Sequence, residues 1–302
     1  MTIEDANPSL VVLAAGIGSR YGDVKQLAGV GTDDEWLLEY AIHDALAAGF
    51  DQIVMVIRAA LREPLQRRLA PHLAGRATLR FVEQTVDTIP EGCRVPAGRS
   101  KPLGTGHALW CCAALLHGPF AVINADDYYG REAFSLLVGH FRSGRGPAMV
   151  GYRLAATLSS HGSVNRGVCR VDRNGHLQSV TEFTDIAERG GTLGGKAPDG
   201  KRAPLAPDAV VSLNCWGLRP ALLPDLERGL REFLAHAGAA DEYFLPHAIA
   251  AHLSERGETL AVLPTHDHWL GLTYPADRDE VVASIGALHA EGAYPTPLWS
   301  RA

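Results

Sequence analysis

The chain has 302 residues, of which 46% are hydrophobic, and a formal net charge of −6 at pH 7. This length and composition can bury a large core, which excludes a disordered protein. Acidic and basic residues are mixed along the chain without a basic stripe, which argues against nucleic acid as a partner. We expect no membrane association either, because no apolar run approaches the roughly 20 residues that cross a bilayer and the N-terminus lacks signal-peptide features.

Five cysteines occur in the sequence, at Cys93, Cys111, Cys112, Cys169 and Cys215. None of them forms a C-x-x-C pair, and the adjacent pair cannot easily close on itself. They are therefore expected to be reduced thiols, which is typical of a cytoplasmic protein.

The first half of the chain alternates strand-like and helical patterns. In chain order these are LVVLAA, LLEYAIHDALAAG, QIVMVIR, LREPLQRRLAPHL, ATLRFVEQ, GHALWCCAALL and FAVINADD. Gly49 and Gly118-Pro119 are expected to end the first and third helices. The alternation predicts βαβ units on a mostly parallel sheet.

After about residue 147 the pattern changes to strands separated by Gly-rich and Asn-rich turns: AMVGYRL, GVCRVD, LQSVTEF and VVSLNCWGL. Residues 184–209 are rich in Gly, Pro and Lys with little apolar periodicity, so an exposed loop is expected there. Helices are expected to return at 220–236, 241–255 and 276–290.

These elements predict an α/β fold with a mixed, mainly parallel central sheet and helices on both faces. We expect residues 1–302 to form a single domain. Its parts would be a first half at about 8–147, a second half at about 148–290 and a tail at 291–302.

A glycine-rich stretch, LVVLAAGIGSRYGDVKQ, follows the first predicted strand. Gly16, Gly18 and Gly22 free the backbone, and Arg20 and Lys25 make the site positive, which favours a phosphate ligand. The dinucleotide motif G-x-G-x-x-G does not fit because the third glycine comes one place late, and no GKS or GKT follows to make a P-loop. A structural turn with solvated cations is the alternative.

Two further segments suggest a ligand site. In KPLGTGHAL, Gly104 and Gly106 lead into a helical pattern, which a tight helix entry would also explain. In FAVINADDYYG, Asp126 and Asp127 follow a predicted strand, at the edge where open α/β sheets bind ligands. Carboxylates there suit Mg²⁺, although solvated turn acids are the alternative.

The segment LAAGIGSRYGDVKQL resembles the signature of the sugar-phosphate nucleotidylyltransferases, LAAGxGxR followed by a lysine. The matching positions are Leu13, Ala14, Ala15, Gly16, Gly18, Arg20 and Lys25. The resemblance implies a nucleotide-diphospho-sugar transferase-like, Rossmann-type fold in which the glycine-loop backbone surrounds the nucleotide phosphates. It also implies that Arg20 and Lys25 are catalytic and offset charge on the departing pyrophosphate.

The segment LGTGHA is similar to a segment of uridylyltransferases that act on hexose or hexosamine phosphates. By this resemblance Gly104, Thr105 and Gly106 contact the base and ribose, and Gln84 reads the base through its amide. Asp126 is then the expected Mg²⁺ ligand, with Asp127 in support.

In the second half the resemblance implies that Gly167, Glu182 and Asn214 hold the sugar hydroxyls. The family usually has a lysine directly after the glutamate to hold the sugar phosphate, whereas this chain has Phe183. Three other cations are candidates for that charge: Arg166, Lys196 and Lys201.

A second metal ligand is expected in HDHWLGLTYPADR. Asp267 is the best candidate, with Thr273 and Asp277 behind it. His266 and His268 would suggest a transition metal, but ordinary polar contacts on one strand face are favoured for them.

These resemblances predict a nucleotidyltransferase whose partners are a nucleoside triphosphate and a sugar phosphate. It would transfer UMP or dTMP to a sugar 1-phosphate with Mg²⁺ and release pyrophosphate. A phosphate monoester has a second pKa of about 6, so its oxygen needs no general base to attack. Two alternatives stay open: cytidylyl transfer to a non-sugar phosphorylated alcohol, and a nucleotide-sensing protein without turnover.

Overall fold

The computed structural model describes residues 7–16, 29–272 and 274–299. The strands are β1 (Ser9–Leu13), β2 (Gln52–Ile57), β3 (Thr78–Glu83), β4 (Phe120–Asn124), β5 (Asp127–Tyr128), β6 (Ala148–Arg153), β7 (Val164–Val171), β8 (Leu177–Arg189), β9 (Thr192–Lys196), β10 (Arg202–Pro204), β11 (Val210–Leu218), β12 (Ala261–Pro264) and β13 (Leu270–Gly271). The α-helices are α1 (Leu37–Ala48), α2 (Arg62–Leu73), α3 (Thr105–Cys111), α4 (Arg131–Arg142), α5 (Leu223–His236), α6 (Leu245–Arg256) and α7 (Asp277–Ala290).

One large mixed sheet organises the chain, with strand order β10-β9-β8-β7-β11-β4-β1-β2-β3. Strands β4, β1, β2 and β3 are parallel to one another, as the βαβ alternation predicted. Strand β11 joins this parallel part to the second half by pairing antiparallel with β4, β6 and β7. Strand β12 is added parallel to β6. The predicted α/β fold with a mixed sheet is confirmed.

Each face of the sheet carries its own hydrophobic core. Along β1, Leu10 and Val12 pack into one core with α1, α2, α4 and α7, whereas Val11 packs into the other with α3, α5 and α6. This alternation follows from the two-residue period of a strand. Strands buried on both faces read as continuous apolar runs, which explains the sequence LVVL. The predicted helices on both faces are confirmed.

Residues 184–209 do not form the expected loop. Strand β8 continues to Arg189 and is followed by the antiparallel strands β9 and β10. Gly190 and Gly191 have φ of +59° and +77° and make the turn between β8 and β9. At Gly194 an added Cβ would lie 2.7 Å from the Ala203 carbonyl oxygen. The glycines that suggested a loop are therefore those of a tight hairpin at the sheet edge.

The three helices expected in the second half are confirmed as α5, α6 and α7. Gly49, with φ of +109°, ends α1 as predicted. Helix α3 is shorter than expected, because it ends at Cys111 and a 3₁₀ turn follows. All five cysteines are free thiols. None of the helices in the described ranges is long and apolar enough to cross a membrane.

Asp225 joins α5 to α6. Its Oδ2 accepts hydrogen bonds from His252 Nδ1 (2.6 Å) and Arg256 Nε (2.8 Å), and its Oδ1 accepts one from Arg228 (2.7 Å). These bonds, that of Arg256 first, hold the pKa of the Asp225 carboxyl well below its usual range. The stability they contribute is present above the pKa of the unfolded carboxyl, about 3.9, and is lost as the pH falls through the folded-state value.

Asp225→Asn should therefore lower the melting temperature at pH 7 and reduce the loss of stability on acidification. Thermal melts of the wild type and the variant from pH 2 to pH 7 measure both effects. Two melting curves that fall in parallel as the pH is lowered would show that Asp225 contributes no pH-dependent stability.

The last described residues, 294–299, pack against α1 and the residues before it. They donate a hydrogen bond to each of three buried acids: from the Tyr294 hydroxyl to Asp44 (2.6 Å), from the Leu298 N–H to Glu35 (3.0 Å) and from the Trp299 indole to Glu39 (2.9 Å). Buried carboxylates are costly without such partners. Residues 294–299 of the predicted tail are thus part of the folded core.

Candidate active site

Four loops meet at one edge of the sheet because β4, β1, β2 and β3 are parallel and their carboxyl ends lie together. They border a cleft of about 430 Å³. Predicted site residues on its walls are Leu13, Ala15, Gly16, Gln84, Gly104, Thr105 and Asp126. Ala14 and Gly106 are buried immediately beside them. Residues that are up to 113 positions apart in the sequence are thus brought together where open α/β sheets bind ligands.

The glycine-rich stretch is described only as far as Gly16. The Ala14 N–H donates to the Val56 carbonyl (2.8 Å), which holds the start of the stretch against β2. Gly18, Arg20 and Lys25 lie outside the described residues.

The second predicted loop, Leu103 to Gly106, packs against the segment that leads into α6. The Tyr243 N–H donates to Leu103 O (2.7 Å), and the Gly106 N–H donates to Tyr243 O (2.8 Å). Gly104 has φ of +102°, and a Cβ there would lie 2.8 Å from Tyr243 O. The backbone approach requires glycine at this position. The loop is therefore held rigidly at the wall of the cleft.

Gln84 follows β3 and is oriented by a histidine. Its Nε2 donates to Gly104 O (3.0 Å) and to His107 Nδ1 (3.0 Å). His107 is fully buried and its Nε2–H donates to Thr88 O (2.5 Å), so its Nδ1 must accept. Burial also lowers the pKa of His107, which favours this neutral form. Both amide protons of Gln84 are engaged, and the amide presents its oxygen as a hydrogen-bond acceptor.

An acceptor oxygen matches the N3–H group of uracil or thymine. Gln84→Leu should therefore weaken binding of the matching nucleoside triphosphate by about 10-fold or more, since the base N–H would lose its partner. His107→Leu should weaken it as well by releasing Gln84. Calorimetric titration measures both effects, and Thr85→Val, beside Gln84 but exposed, is the control. Unchanged affinity in Gln84→Leu would contradict the base-reading role.

Asp126 and Asp127 occupy different environments although they are neighbours. Asp126 lines the cleft. Asp127 is buried, and its Oδ2 accepts hydrogen bonds from Asn124 Nδ2 (2.8 Å) and the Tyr129 hydroxyl (3.1 Å). Burial, followed by the charge of Asp126, raises the pKa of the Asp127 carboxyl. Asp127 is thus anchored in the protein, and Asp126 is the carboxylate of the pair that a ligand in the cleft would meet.

The donors at the cleft fit Mg²⁺ bound through few protein groups. Within the described ranges, no cluster of three or more His, Cys, Asp or Glu side chains could hold a metal by itself. Mg²⁺ commonly takes one or two carboxylates and completes its shell with waters and substrate phosphates. A carboxylate such as Asp126 at the wall of the cleft matches that chemistry. The absence of a wider cluster in these ranges gives no support to a transition-metal site at His266 and His268.

Asp267 has another contact in the structure. Its Oδ2 accepts a hydrogen bond from the Glu132 N–H (2.7 Å) in the first turn of α4, a favourable place for a carboxylate. It does not line the cleft beside Asp126 among the described residues. Thr273 lies outside the described residues, and Asp277 accepts a hydrogen bond from Ser159 (2.8 Å). The second metal ligand stays a prediction.

The three predicted acceptor residues lie on adjacent strands. Gly167 on β7 is paired with Glu182 on β8 and with Ser212 on β11. A Cβ at Gly167 would lie only 2.7 Å from Val180 Cγ1, so the close packing of β7 on β8 favours glycine there. Asn214 has φ of +60° and lies at an irregularity of β11. The sheet therefore brings these residues together, although the sequence separates them by up to 47 positions.

The three candidate cations for the acceptor phosphate lie in different environments. Lys196 and Lys201 are exposed and pair with Asp185 and Asp199. Arg166 is 8% exposed and lies directly across the strand pair from Phe183. Of the three, it alone lies within the fold beside the predicted acceptor residues.

Several contacts surround the Arg166 guanidinium. It donates to Thr157 Oγ1 (3.2 Å) and Asn165 O (2.8 Å) and stacks 4.5 Å above the Trp269 ring. Burial lowers the pKa of Arg166, whereas three nearby carboxylates act in the opposite direction. These are Asp127, Glu182 and Asp277. From the sequence, Arg166 was only one of three candidates for this charge. Its contact with Trp269 could not be predicted, because the two residues are far apart in sequence.

No protein-family model matches the chain, and no curated protein matches it. In structure it is similar to the inositol-1-phosphate CTP transferase from T. maritima, with 14% identity, a TM-score of 0.60 and coverage of 93% of this chain and 96% of that one. It is also similar to a UTP-bound UGPase from Acinetobacter baumannii, with 16% identity, a TM-score of 0.58 and coverage of 94% of each chain. A UDP-glucose pyrophosphorylase complexed with UDP-glucose has 15% identity, a TM-score of 0.61 and coverage of 93% and 99%.

These similarities extend over nearly the whole chain and show its fold. It is the fold of sugar-phosphate nucleotidylyltransferases, so the resemblance that the LAAGxGxR signature predicted is confirmed at the level of the fold.

Proposed function

We propose that this protein is a nucleotidyltransferase that transfers UMP or dTMP from a nucleoside triphosphate to a sugar 1-phosphate and releases pyrophosphate. The observation that carries the proposal is the cleft at the carboxyl edge of the parallel strands. A glycine-rich segment, a glutamine that presents an acceptor oxygen and a carboxylate surround it. These are the groups required to hold triphosphate, pyrimidine and Mg²⁺. We further propose that the chain is cytoplasmic and forms one domain with a nucleotide-binding half at about 8–147 and an acceptor-binding half at about 148–290.

The reaction is an in-line displacement. A phosphate oxygen of the acceptor attacks the α-phosphorus, the bond to the β-phosphate oxygen breaks, and pyrophosphate leaves. The chain then has to position both substrates and offset charge. Gln84 orients the base, Gly104 and Thr105 border the nucleoside, and Arg20 and Lys25 offset charge on the phosphates. Mg²⁺, held by Asp126, would neutralise charge on the phosphate oxygens.

On the acceptor side, Gly167, Glu182 and Asn214 would hold the sugar hydroxyls. Arg166 is the proposed source of positive charge for the acceptor phosphate, because it is the buried cation next to Glu182 and takes the place across from Phe183. The lysine that the family carries after its glutamate is thereby replaced from the neighbouring strand.

Cytidylyl transfer to a phosphorylated alcohol is the second candidate. It is favoured by two observations: Phe183 in place of the lysine, and the structural similarity to an inositol-1-phosphate CTP transferase.

The first experiment is a series of thermal melts with UTP, dTTP, CTP, GTP and ATP, each with and without Mg²⁺. A ligand at 100 times its Kd stabilises the folded state by about 2.7 kcal/mol, which a melting curve resolves. Stabilisation by UTP or dTTP, increased by Mg²⁺, supports the proposal, and stabilisation by CTP alone supports the second candidate. Pyrophosphate release with a panel of sugar 1-phosphates and phosphorylated alcohols then tests turnover. If no nucleotide raises the melting temperature, the proposed function is wrong.

A further inference from the structure

Arg58, directly after β2, has a side chain for which no hydrogen bond to another described residue is found. Its Nε is buried and forms no hydrogen bond. No ion pair among the described residues involves Arg58 either. A buried donor without an acceptor costs about 1–3 kcal/mol, and more if it is charged. Native proteins rarely keep such a group unless a ligand or water completes it.

Arg62, in the first turn of α2, shows the usual arrangement of an arginine side chain. Its Nε donates to Glu83 (3.0 Å), and its guanidinium lies 5.5 Å from the centre of the Phe81 ring. Arg62 is therefore a surface cation that is paired with a carboxylate and packed on an aromatic ring. Arg58, four residues earlier, has a buried Nε for which no hydrogen bond is found.

Arg58 does not line the candidate cleft itself, but the backbone places it two residues beyond Val56, which does. Its φ of −87° and ψ of 149° continue the extended conformation of β2 by one residue. Side chains two residues apart on a strand leave the sheet on the same face, so Arg58 lies on the face of Val56. Val56 and its neighbour on β1, Leu13, line the cleft. Arg58 therefore lies two residues beyond Val56, in the direction of the sheet edge where the loops meet.

The order of the strands fixes its neighbours along that edge. The strands run β4, β1, β2, β3, so the residues that follow them come in the order Asp126, Gly16, Arg58 and Gln84. Arg58 stands between the glycine-rich segment and the base-reading glutamine. Base and ribose are neutral, and the triphosphate is the anionic part of the nucleotide. A guanidinium binds phosphate through two parallel N–H groups.

We propose that Arg58 is a phosphate-binding residue that completes the nucleotide site by holding the triphosphate beside Gly16. This inference rests on the proposed function. It assigns a role to a residue that no motif in the sequence marks.

The test compares Arg58→Ala and Arg58→Lys with Arg62→Ala as the matched control. Each protein is titrated calorimetrically with the nucleoside triphosphate that stabilises the wild type, and with the corresponding monophosphate and nucleoside. Arg58→Ala should weaken triphosphate binding by about 10-fold to 100-fold, the range expected for hydrogen bonds to a charged group. It should weaken monophosphate binding less and leave nucleoside binding unchanged. Arg58→Lys should keep part of the affinity, and Arg62→Ala should match the wild type.

The melting temperature without ligand is a second readout. Arg58→Ala should keep it or raise it, because the change removes an unpaired buried donor, whereas a structural arginine would lower it. Triphosphate affinity equal to that of the wild type, or equal loss of triphosphate and nucleoside, would overturn the role of Arg58. If the wild type itself binds no nucleoside triphosphate, the proposed function and this inference both fail, and that outcome is recognised before any variant is compared.

Discussion

Asp126→Asn should lower the rate of pyrophosphate release by about 10²- to 10³-fold, the usual effect of removing one group that stabilises transition-state charge. The carboxylate lines the cleft at the end of β4, whereas Asp127 behind it is held by Asn124 and Tyr129. The change should leave the melting temperature without ligand close to that of the wild type. It should also abolish the additional stabilisation that Mg²⁺ gives in the presence of the nucleotide, because the metal would lose its protein ligand.

Glu242→Gln is the matched control, since Glu242 lines the same cleft and the change removes the same charge. We expect it to keep most of the wild-type rate. Equal losses in the two variants would show that the overall charge of the cleft matters and that Asp126 has no specific role. Full activity of Asp126→Asn would exclude it as the metal ligand.

Arg166→Ala should destabilise the fold by about 3–5 kcal/mol, the range for removing one partner from a buried group of charges. The change leaves Thr157 and Asn165 without their hydrogen-bond donor and Trp269 without its stacked neighbour. It also removes the positive charge nearest to Glu182 and Asp127. Urea unfolding followed by fluorescence measures the difference in the free energy of unfolding.

Arg170→Ala is the control for this change, because Arg170 lies on the same strand with an exposed side chain. It should alter the free energy of unfolding by no more than about 0.5 kcal/mol. Arg166→Lys keeps the charge but not the planar fork, so it should recover part of the stability while raising KM for the acceptor more than KM for the nucleotide. A change in stability alone, with both KM values unchanged, would restrict Arg166 to a structural role.

The first half of the fold could be predicted from the sequence because its elements are regular and long. Buried parallel strands such as β1 and β2 are continuous apolar runs, and the helices between them are bounded by residues such as Gly49. Helix α4 was not among the predicted elements. Its buried residues Phe134, Leu137, Val138 and Phe141 follow the helical spacing that would have indicated it.

The hairpin of β8 and β9 was not predicted because glycine-rich sequences occur both in loops and in tight hairpins. Glycine is frequent in loops, but it also permits the positive φ of Gly190 and the close backbone approach at Gly194. Local composition does not distinguish these cases. The distinction depends on pairing with β10, which is a property of the folded chain.

In the candidate site, too, local sequence patterns indicated some residues, whereas others depend on contacts that form only in the folded chain. Short motifs at the ends of predicted elements indicated Gly104 and Asp126, and the family resemblance indicated Gln84; all three line the cleft. His107 was not indicated, since it orients Gln84 only after β3 and α3 have come together. Arg58 was not indicated either, because its position follows from the parallel order of β1, β2 and β3. Sequence patterns therefore indicated residues that line the cleft better than the residues that hold them in place.

The burial of residues 294–299 also has a consequence for how the protein is made. Glu35, Glu39 and Asp44 are synthesised early, and each has a hydrogen-bond partner nearby in sequence. Each also accepts a hydrogen bond from a group 250 to 263 positions later in the chain. Contacts this distant in sequence form late in folding. Until residues 294–299 have been synthesised, these three acids lack their distant partners. The core around α1 should therefore reach its final packing only after residues 294–299 have left the ribosome.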